Sequence, residues 1–245
     1  MPTLPLSGKS ALVTGGARRV GHAIALALGA AGADVGLAYR TSSAEAERTA
    51  REIEALGRRA FAIPCDVRSE ASVREAVGSA AEHFGRIDLL VNNAAIFETG
   101  RLDEISVEQW DAVFETNTRG PFLVAREALK YLRRVQGRIV NIGSLGGTHA
   151  WATHAHYCAS KAALHMLTQA MAKGFAPEVS VNCVAPGWIE TEESTADDAK
   201  RFAGRTPMQR NGSADDVARA VLFFATAPSF ITGQILMVDG GLGLA

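Results

Sequence analysis

Three side chains of this sequence have the types and spacing for proton transfer to a carbonyl oxygen: the hydroxyl of Ser144, the phenol of Tyr157 and the ammonium of Lys161, all within SLGGTHAWATHAHYCASK. Tyr157 and Lys161 are four residues apart in AHYCASKAALHMLTQAMAKGF, whose composition predicts a helix, so both side chains emerge on one face. A phenol titrates at about 10 and is a poor acid or base at neutral pH. A cation held about 4 Å away favours the phenolate by a few kcal/mol at intermediate dielectric, enough to bring the group toward working pH. Ser144 follows the apolar run RIVNI, where a strand should end and a loop should open. From there its hydroxyl can address the oxygen that the phenol protonates. A Tyr and a Lys at this spacing also occur on solvated helix faces, so the pair counts only through the elements that position it.

Those elements are read from alternating runs. KSALVT (9–14), DVGLAYR (34–40), RAFAIPCDV (59–67), RIDLLVNNA (86–94), RIVNIGS (138–144), VSVNCVAPG (179–187) and QILMVDGG (234–241) read as strands. Helical segments lie between them: GGARRVGHAIALALGAAGA, Ser43 to Leu56, 104–134 and 155–174. Seven apolar strands joined by helices predict an α/β fold: a doubly wound, Rossmann-like parallel sheet with helices on both faces, one domain over 1–245. Ligands of such a sheet bind beyond the carboxyl ends of its strands, which selects Gly15, Arg40, Asp66, Asn92, Ser144 and Pro186.

The turn TGGARRVG (14–21) follows the first strand and opens the first helix. Glycine there lets backbone approach a pyrophosphate, and the helix N-terminus presents free N–H groups to the anion. The second strand ends Tyr39, Arg40, Thr41, Ser42, with no acid to bond a ribose 2′-hydroxyl, and Arg18 adds a second cation. The expectation is NADP(H) rather than NAD(H). A net charge of −1 without a long basic run argues against a nucleic-acid surface, and no apolar stretch approaches a membrane span. Cys65, Cys158 and Cys183 are odd in number and sit in apolar contexts, which suggests packed thiols in a reducing, cytoplasmic setting. His149, His154 and His156 cluster without acidic or cysteine partners at ligand spacing, so no metal is expected. The apolar and small residues Ala155, Ala159, Ala162, Ala163, Met166 and Ala170 exceed what one sheet-facing stripe needs, and predict a second packing partner.

With these pieces in place the chain resembles the short-chain dehydrogenase/reductase family over nearly its whole length. The residues that carry the likeness are TGGARRVG at 14, CDV at 65, NNA at 92, Asn117 in ETNTRG, Ser144, YCASK at 157, VNCVAPGWIET at 181 and TGQILMVDGG at 232. The resemblance implies hydride transfer between a nicotinamide cofactor and a carbonyl, imine or alcohol, and a homotetramer. It gives Ser144 the substrate oxygen, Tyr157 its proton, Lys161 the phenol and the nicotinamide ribose, and Asn117 a water in a proton relay. It places Gly15, Arg18, Arg19, Val20 and Gly21 at the phosphates, Asp66 and Val67 beside the adenine, and Asn93 and Ala94 along the ribose. Pro186, Gly187, Ile189 and Thr191 fall toward the carboxamide. The polar segment 188–210, starting at Trp188, matches the family's mobile substrate loop.

Arg19 departs from the usual glycine and, with AYRTSSAEAE and Phe97, resembles the pteridine-reductase branch, where an aromatic ring stacks a pterin. That branch has an aspartate where this chain has Ser144. The leading expectation is therefore a reductase of 3-oxoacyl thioesters or small ketones, then a pteridine or dihydropterin reductase, then a cofactor-binding sensor without turnover.

Overall fold

The computed structural model describes residues 3–244; Met1, Pro2 and Ala245, the ends of the expected domain, lie outside them. The apolar runs form β1 (Ser10–Thr14), β2 (Asp34–Tyr39), β3 (Ala60–Pro64), β4 (Leu89–Asn92), β5 (Arg138–Ile142), β6 (Ser180–Pro186) and β7 (Ile235–Val238). They make one parallel sheet in the order β3-β2-β1-β4-β5-β6-β7. The chain winds outward in one direction from β1 and in the other from β4. The crevice that a doubly wound sheet offers a ligand therefore opens beyond the paired ends Thr14 and Asn92.

The helices are α1 (Arg19–Ala30), α2 (Ser43–Ala55), α3 (Glu70–Phe84), α4 (Val107–Phe114), α5 (Gly120–Leu132), α6 (Ala155–Phe175), α7 (Ala196–Arg205) and α8 (Ala214–Thr226), of which α1, α2, α3, α5, α6 and α8 pack on the sheet. Because strand side chains alternate, neighbours go to opposite cores. Val13, Leu37 and Val91 pack with Ile24, Leu28, Val221 and Phe224, whereas Leu12 and Leu90 pack with Val77, Val124 and Leu132. Burial on both faces is why the strands read as continuous apolar runs rather than alternating ones. Each fully buried Leu or Ile contributes about 1.5–3 kcal/mol.

Two expected elements differ. The helix expected over 104–134 is broken into α4, a π-helical turn at Glu115–Arg119, and α5. Pro121 has no N–H to give the Asn117 carbonyl four residues back, and the bonding steps to the wider spacing, Gly120 N–H reaching Glu115 O. The start of α4 is fixed by a reciprocal cap, Gln109 N–H to Ser106 Oγ at 3.2 Å and Ser106 N–H to Gln109 Oε1 at 3.0 Å. The segment expected as a substrate loop, 188–210, contains α7, which Thr195 caps and whose first turn carries Asp197 and Asp198.

Candidate active site

At the end of β1 the backbone turns sharply into α1. Gly15 has φ 64°, and a Cβ on Gly21 would lie 2.0 Å from the Gly15 carbonyl oxygen, so the turn closes only around glycine. No side chain caps α1 and its first turn holds no acid, which leaves its N–H groups and positive dipole end free for an anion. Asn93 ties this turn to β4, donating from Nδ2 to the Thr14 and Gly15 carbonyl oxygens at 3.0 Å each. Thr14 Oγ1 accepts from Asn93 N–H at 3.0 Å and Ala94 N–H at 3.1 Å.

A cleft of about 330 Å³ runs beyond this turn, lined by Gly15, Arg18, Arg19, Val20, Gly21, Arg40, Thr41, Ser42, Asp66, Val67, Asn93 and Ala94. The structure thus brings these expected cofactor residues together. Ala95, Ile96 and Thr116 line it as well, and sequence reasoning missed them because nothing in their types marks them. Pro186 ends β6, and Gly187, Ile189 and Thr191 follow in the next loop, all four outside that lining; Ile189 bridges to Gly212 and Thr191 N–H donates to Ser194 Oγ at 2.9 Å. The fit to a phosphorylated dinucleotide rests on the open α1 N-terminus, the glycine-only turn and the cations Arg18 and Arg40 on the cleft wall.

Two cleft residues carry partners of their own. Asp66 pairs with Arg68 at 2.6 Å, which holds its carboxyl down at about 2. Arg19, at φ 52° a non-glycine residue in the left-handed region, pairs with Glu193 of the loop after β6. Its guanidinium thus reaches across to the substrate-loop segment.

At the carboxyl end of β5, Ser144 is buried and extended, and its Oγ accepts from Gly146 N–H at 3.1 Å. Tyr157 lies in the first turn of α6, and Lys161, only 3% exposed, one turn later. Their electrostatics differ from the expectation. Burial pushes the Tyr157 phenol up to about 12, opposed in part by a hydrogen bond from Ser144. Burial also lowers Lys161 to about 8, and its Nζ donates to the Ile142 carbonyl oxygen at 2.8 Å while standing 5.8 Å from the centre of the Tyr157 ring. Desolvation is the largest cause for both groups, opposed at the phenol by Ser144 and at the ammonium by Cys183, and a phenol at about 12 is protonated at neutral pH.

Asn117, fully buried in the π turn, spends its carboxamide on protein: Nδ2 donates to Ile96 O at 2.9 Å and Ser160 Oγ at 3.1 Å, and Oδ1 accepts from Ile96 N–H at 2.8 Å. Its side chain braces the segment after β4 against α6.

Around the phenol stand aromatic rings. Phe97, 60% exposed, meets Tyr157 edge-on at 4.8 Å and stacks on His154 at 4.6 Å, and Trp151 lies parallel to Tyr157 at 6.1 Å. Trp151 and His154 were not expected as members of one ring set. Trp188 stacks on Phe202 of α7 at 4.9 Å, which ties the start of the expected substrate loop to its helix. The histidines disperse: His149 Nε2 lies 2.9 Å from the Gly243 carbonyl oxygen, and among the described residues no group of three or more His, Cys, Asp or Glu side chains could hold a metal ion. All three cysteines are buried and unpaired.

Comparison with known proteins follows the same lines. A family described as enoyl-(acyl carrier protein) reductase matches residues 15–243. A 3-oxoacyl-[acyl-carrier-protein] reductase from Synechocystis is 38% identical, with 97% of this chain and 98% of the relative covered. Versicolorin reductase 1 from Dothistroma septosporum is 37% identical, with 96% of each covered. The crystal structure of a short chain dehydrogenase from Burkholderia cenocepacia J2315 in complex with NADP superposes with a TM-score of 0.91 at 42% identity, covering 97% of this chain and 99% of that one. With matches of this extent and the sheet, turn and Ser144, Tyr157, Lys161 geometry in place, the chain belongs to the short-chain dehydrogenase/reductase family.

Proposed function

We propose that this protein is an NADPH-dependent oxidoreductase that reduces a carbonyl group on a small molecule, a 3-oxoacyl thioester or small ketone. The observation that carries the reading is a buried phenol kept protonated beside the Ser144 hydroxyl, in a fold that also holds a cleft whose lining suits a phosphorylated dinucleotide. Bound NADPH supplies the hydride. Ser144 donates to the substrate oxygen, and Tyr157 gives it the proton that completes the alcohol. Lys161, brought to about 8 by burial, titrates close to working pH and can restore that proton, while its bond to Ile142 fixes where the ammonium stands. Arg18 and Arg40 favour the extra phosphate of NADP(H) over NAD(H). The named relatives, a 3-oxoacyl thioester reductase and a versicolorin reductase, support the substrate class.

A dihydropterin is the second reading, favoured by the exposed Phe97 ring beside the phenol. It is ranked lower because Ser144 stands where the pterin-reducing branch has an acid.

The assembly read from the family is a homotetramer, and exposed apolar residues on α5 and α6 supply surface for it: Phe122 on α5 is 41% exposed, and Met166 on α6, 65% exposed, shares its helix face with the exposed Ala162 and Ala170. Among the described residues no helix is long and apolar enough to cross a membrane, and the buried free thiols suit a cytoplasmic location.

The test is consumption of NADPH by purified protein with acetoacetyl thioester, a small ketone or a dihydropterin, and the same with NADH. Turnover of the first two with NADPH is expected. Turnover of the pterin alone, or equal use of NADH, would overturn the respective assignment.

A further inference from the structure

Below the loop that follows β5 lies a residue with no assigned part in the reaction. His165 is on α6 one turn beyond Lys161, so Tyr157, Lys161 and His165 lie along one face of the helix at successive turns. The ring is 5% exposed and its Nε2 accepts from the Ser144 N–H at 3.4 Å. Nε2 as acceptor puts the ring proton on Nδ1, which has no protein partner. The loop is moulded to the ring. A Cβ on Gly143 would lie 2.4 Å from Nε2, and one on Gly147 would lie 2.5 Å from Cε1. Only residues without side chains let the chain lie this close to the imidazole.

A buried N–H without a partner costs stability, so packing alone would be better served by an apolar side chain. What an apolar side chain lacks is the acceptor. Lys161 donates to the carbonyl of Ile142 and His165 accepts from the amide of Ser144, so α6 grips the backbone on both sides of Gly143. The helix that carries Tyr157 thereby also sets the position of Ser144. Burial, with Lys161 close by, lowers His165 to about 4, which keeps it neutral and therefore an acceptor at physiological pH.

We propose that His165 is a positioning residue: it holds the Ser144 amide and so fixes the Ser144 hydroxyl against the Tyr157 phenol for reduction of the carbonyl. This rests on the proposed reductase activity, and turnover by the unaltered protein establishes that activity first. Failure of the His165 variants to alter turnover then counts against the role of His165 alone.

The experiment compares His165→Met, which keeps bulk and removes the acceptor, with His165→Gln, whose amide oxygen restores it. The readouts are kcat, KM, NADPH affinity by fluorescence titration and thermal unfolding, with the carbonyl that the unaltered protein turns over fastest. His165→Met should lower kcat about tenfold or more, because small misplacements of a reacting group carry large rate costs. NADPH affinity should stay within about twofold and the unfolding temperature should not fall. His165→Gln should recover most of kcat. In a Ser144→Ala background, His165→Met should change kcat by less than about twofold, since the two act through one hydroxyl. Unchanged kcat in His165→Met, a loss that tracks lowered thermal stability and is not rescued by Gln, or full additivity with Ser144→Ala would each overturn the proposal.

Discussion

The ammonium of Lys161 stands 5.8 Å from the centre of the Tyr157 ring and bonds not the phenol but the Ile142 carbonyl oxygen, 2.8 Å away. The two side chains share a helix face, yet they serve different partners, and the phenol keeps its proton with a pKa pushed up to about 12. A protonated phenol is an acid in waiting, which suits reduction of a carbonyl better than oxidation of an alcohol.

Tyr157→Phe keeps the ring and its contacts with Phe97 and Trp151 while removing the proton donor. Turnover should fall by a factor of about 10² or more, as loss of general acid catalysis requires. Titration of NADPH should give an affinity close to that of the unaltered protein. Near-normal turnover would remove Tyr157 from its assigned role.

Arg40, exposed at the end of β2, tests the choice of cofactor. Arg40→Asp places a carboxylate where the 2′-phosphate would lie, and loss of a charge-assisted bond of about 1.5–3 kcal/mol should raise the Michaelis constant for NADPH tenfold or more. The constant for NADH should improve. Michaelis constants that rise equally for both cofactors would contradict the reading.

Phe97→Ala separates the two substrate readings. If the ring is only a wall of the pocket, turnover of a ketone or thioester should change little, and this is the expected result. If a flat heteroaromatic ring stacks on it, the Michaelis constant for a dihydropterin should rise at least several-fold, from about 0.5–1.5 kcal/mol of stacking plus buried area.

At Arg19 the backbone φ of 52° costs about 1–2 kcal/mol for a residue with a Cβ, and the solvent-exposed pair with Glu193 returns little of it. Arg19→Gly should therefore raise the unfolding temperature or leave it unchanged. NADPH should still bind and carbonyl reduction should persist. Destabilisation, or loss of cofactor binding, would show that the arginine does more than tolerate the turn.

Stability depends on pH in the acid range through His154, which burial also lowers, and through His165. Its folded pKa of about 4 lies below the ordinary value of 6.5, so the unfolded chain binds the extra proton between those limits. The contribution of His165 to stability is complete above pH 6.5 and is lost as pH falls through the window toward 4, by on the order of 3 kcal/mol. Urea unfolding at pH 6.5 and 4.5 should show this decline, and the decline should be smaller in His165→Met, which has no group to protonate. Identical slopes in the two proteins would mean that other groups carry the acid sensitivity.

Local pattern was enough to read several features from the sequence. Strand-and-helix alternation announced the parallel sheet, because strands buried on both faces must be apolar throughout, and a glycine turn between a strand and a helix announced the anion site. The expectation of NADP(H) rests on Arg40, Thr41 and Ser42, since recognition of the 2′-position depends on which side chains follow β2. Boundaries were less legible: the expected strand 86–94 is only Leu89–Asn92, because Asn93 and Ala94 turn away to bond Thr14. What tertiary structure alone decided were the relations between segments distant in sequence. Spacing places Tyr157 and Lys161 on one face, but only the packing of α6 on β5 sends Lys161 to Ile142 and buries both groups until desolvation governs their protonation. The bonds of Asn117 to Ile96 and Ser160 needed segments distant in sequence to meet, as did the ring set of Phe97, Trp151, His154 and Tyr157. His165 looked like one more core side chain, since a histidine's partner cannot be read from its own helix. The fold brings it under Ser144, and that contact is its meaning.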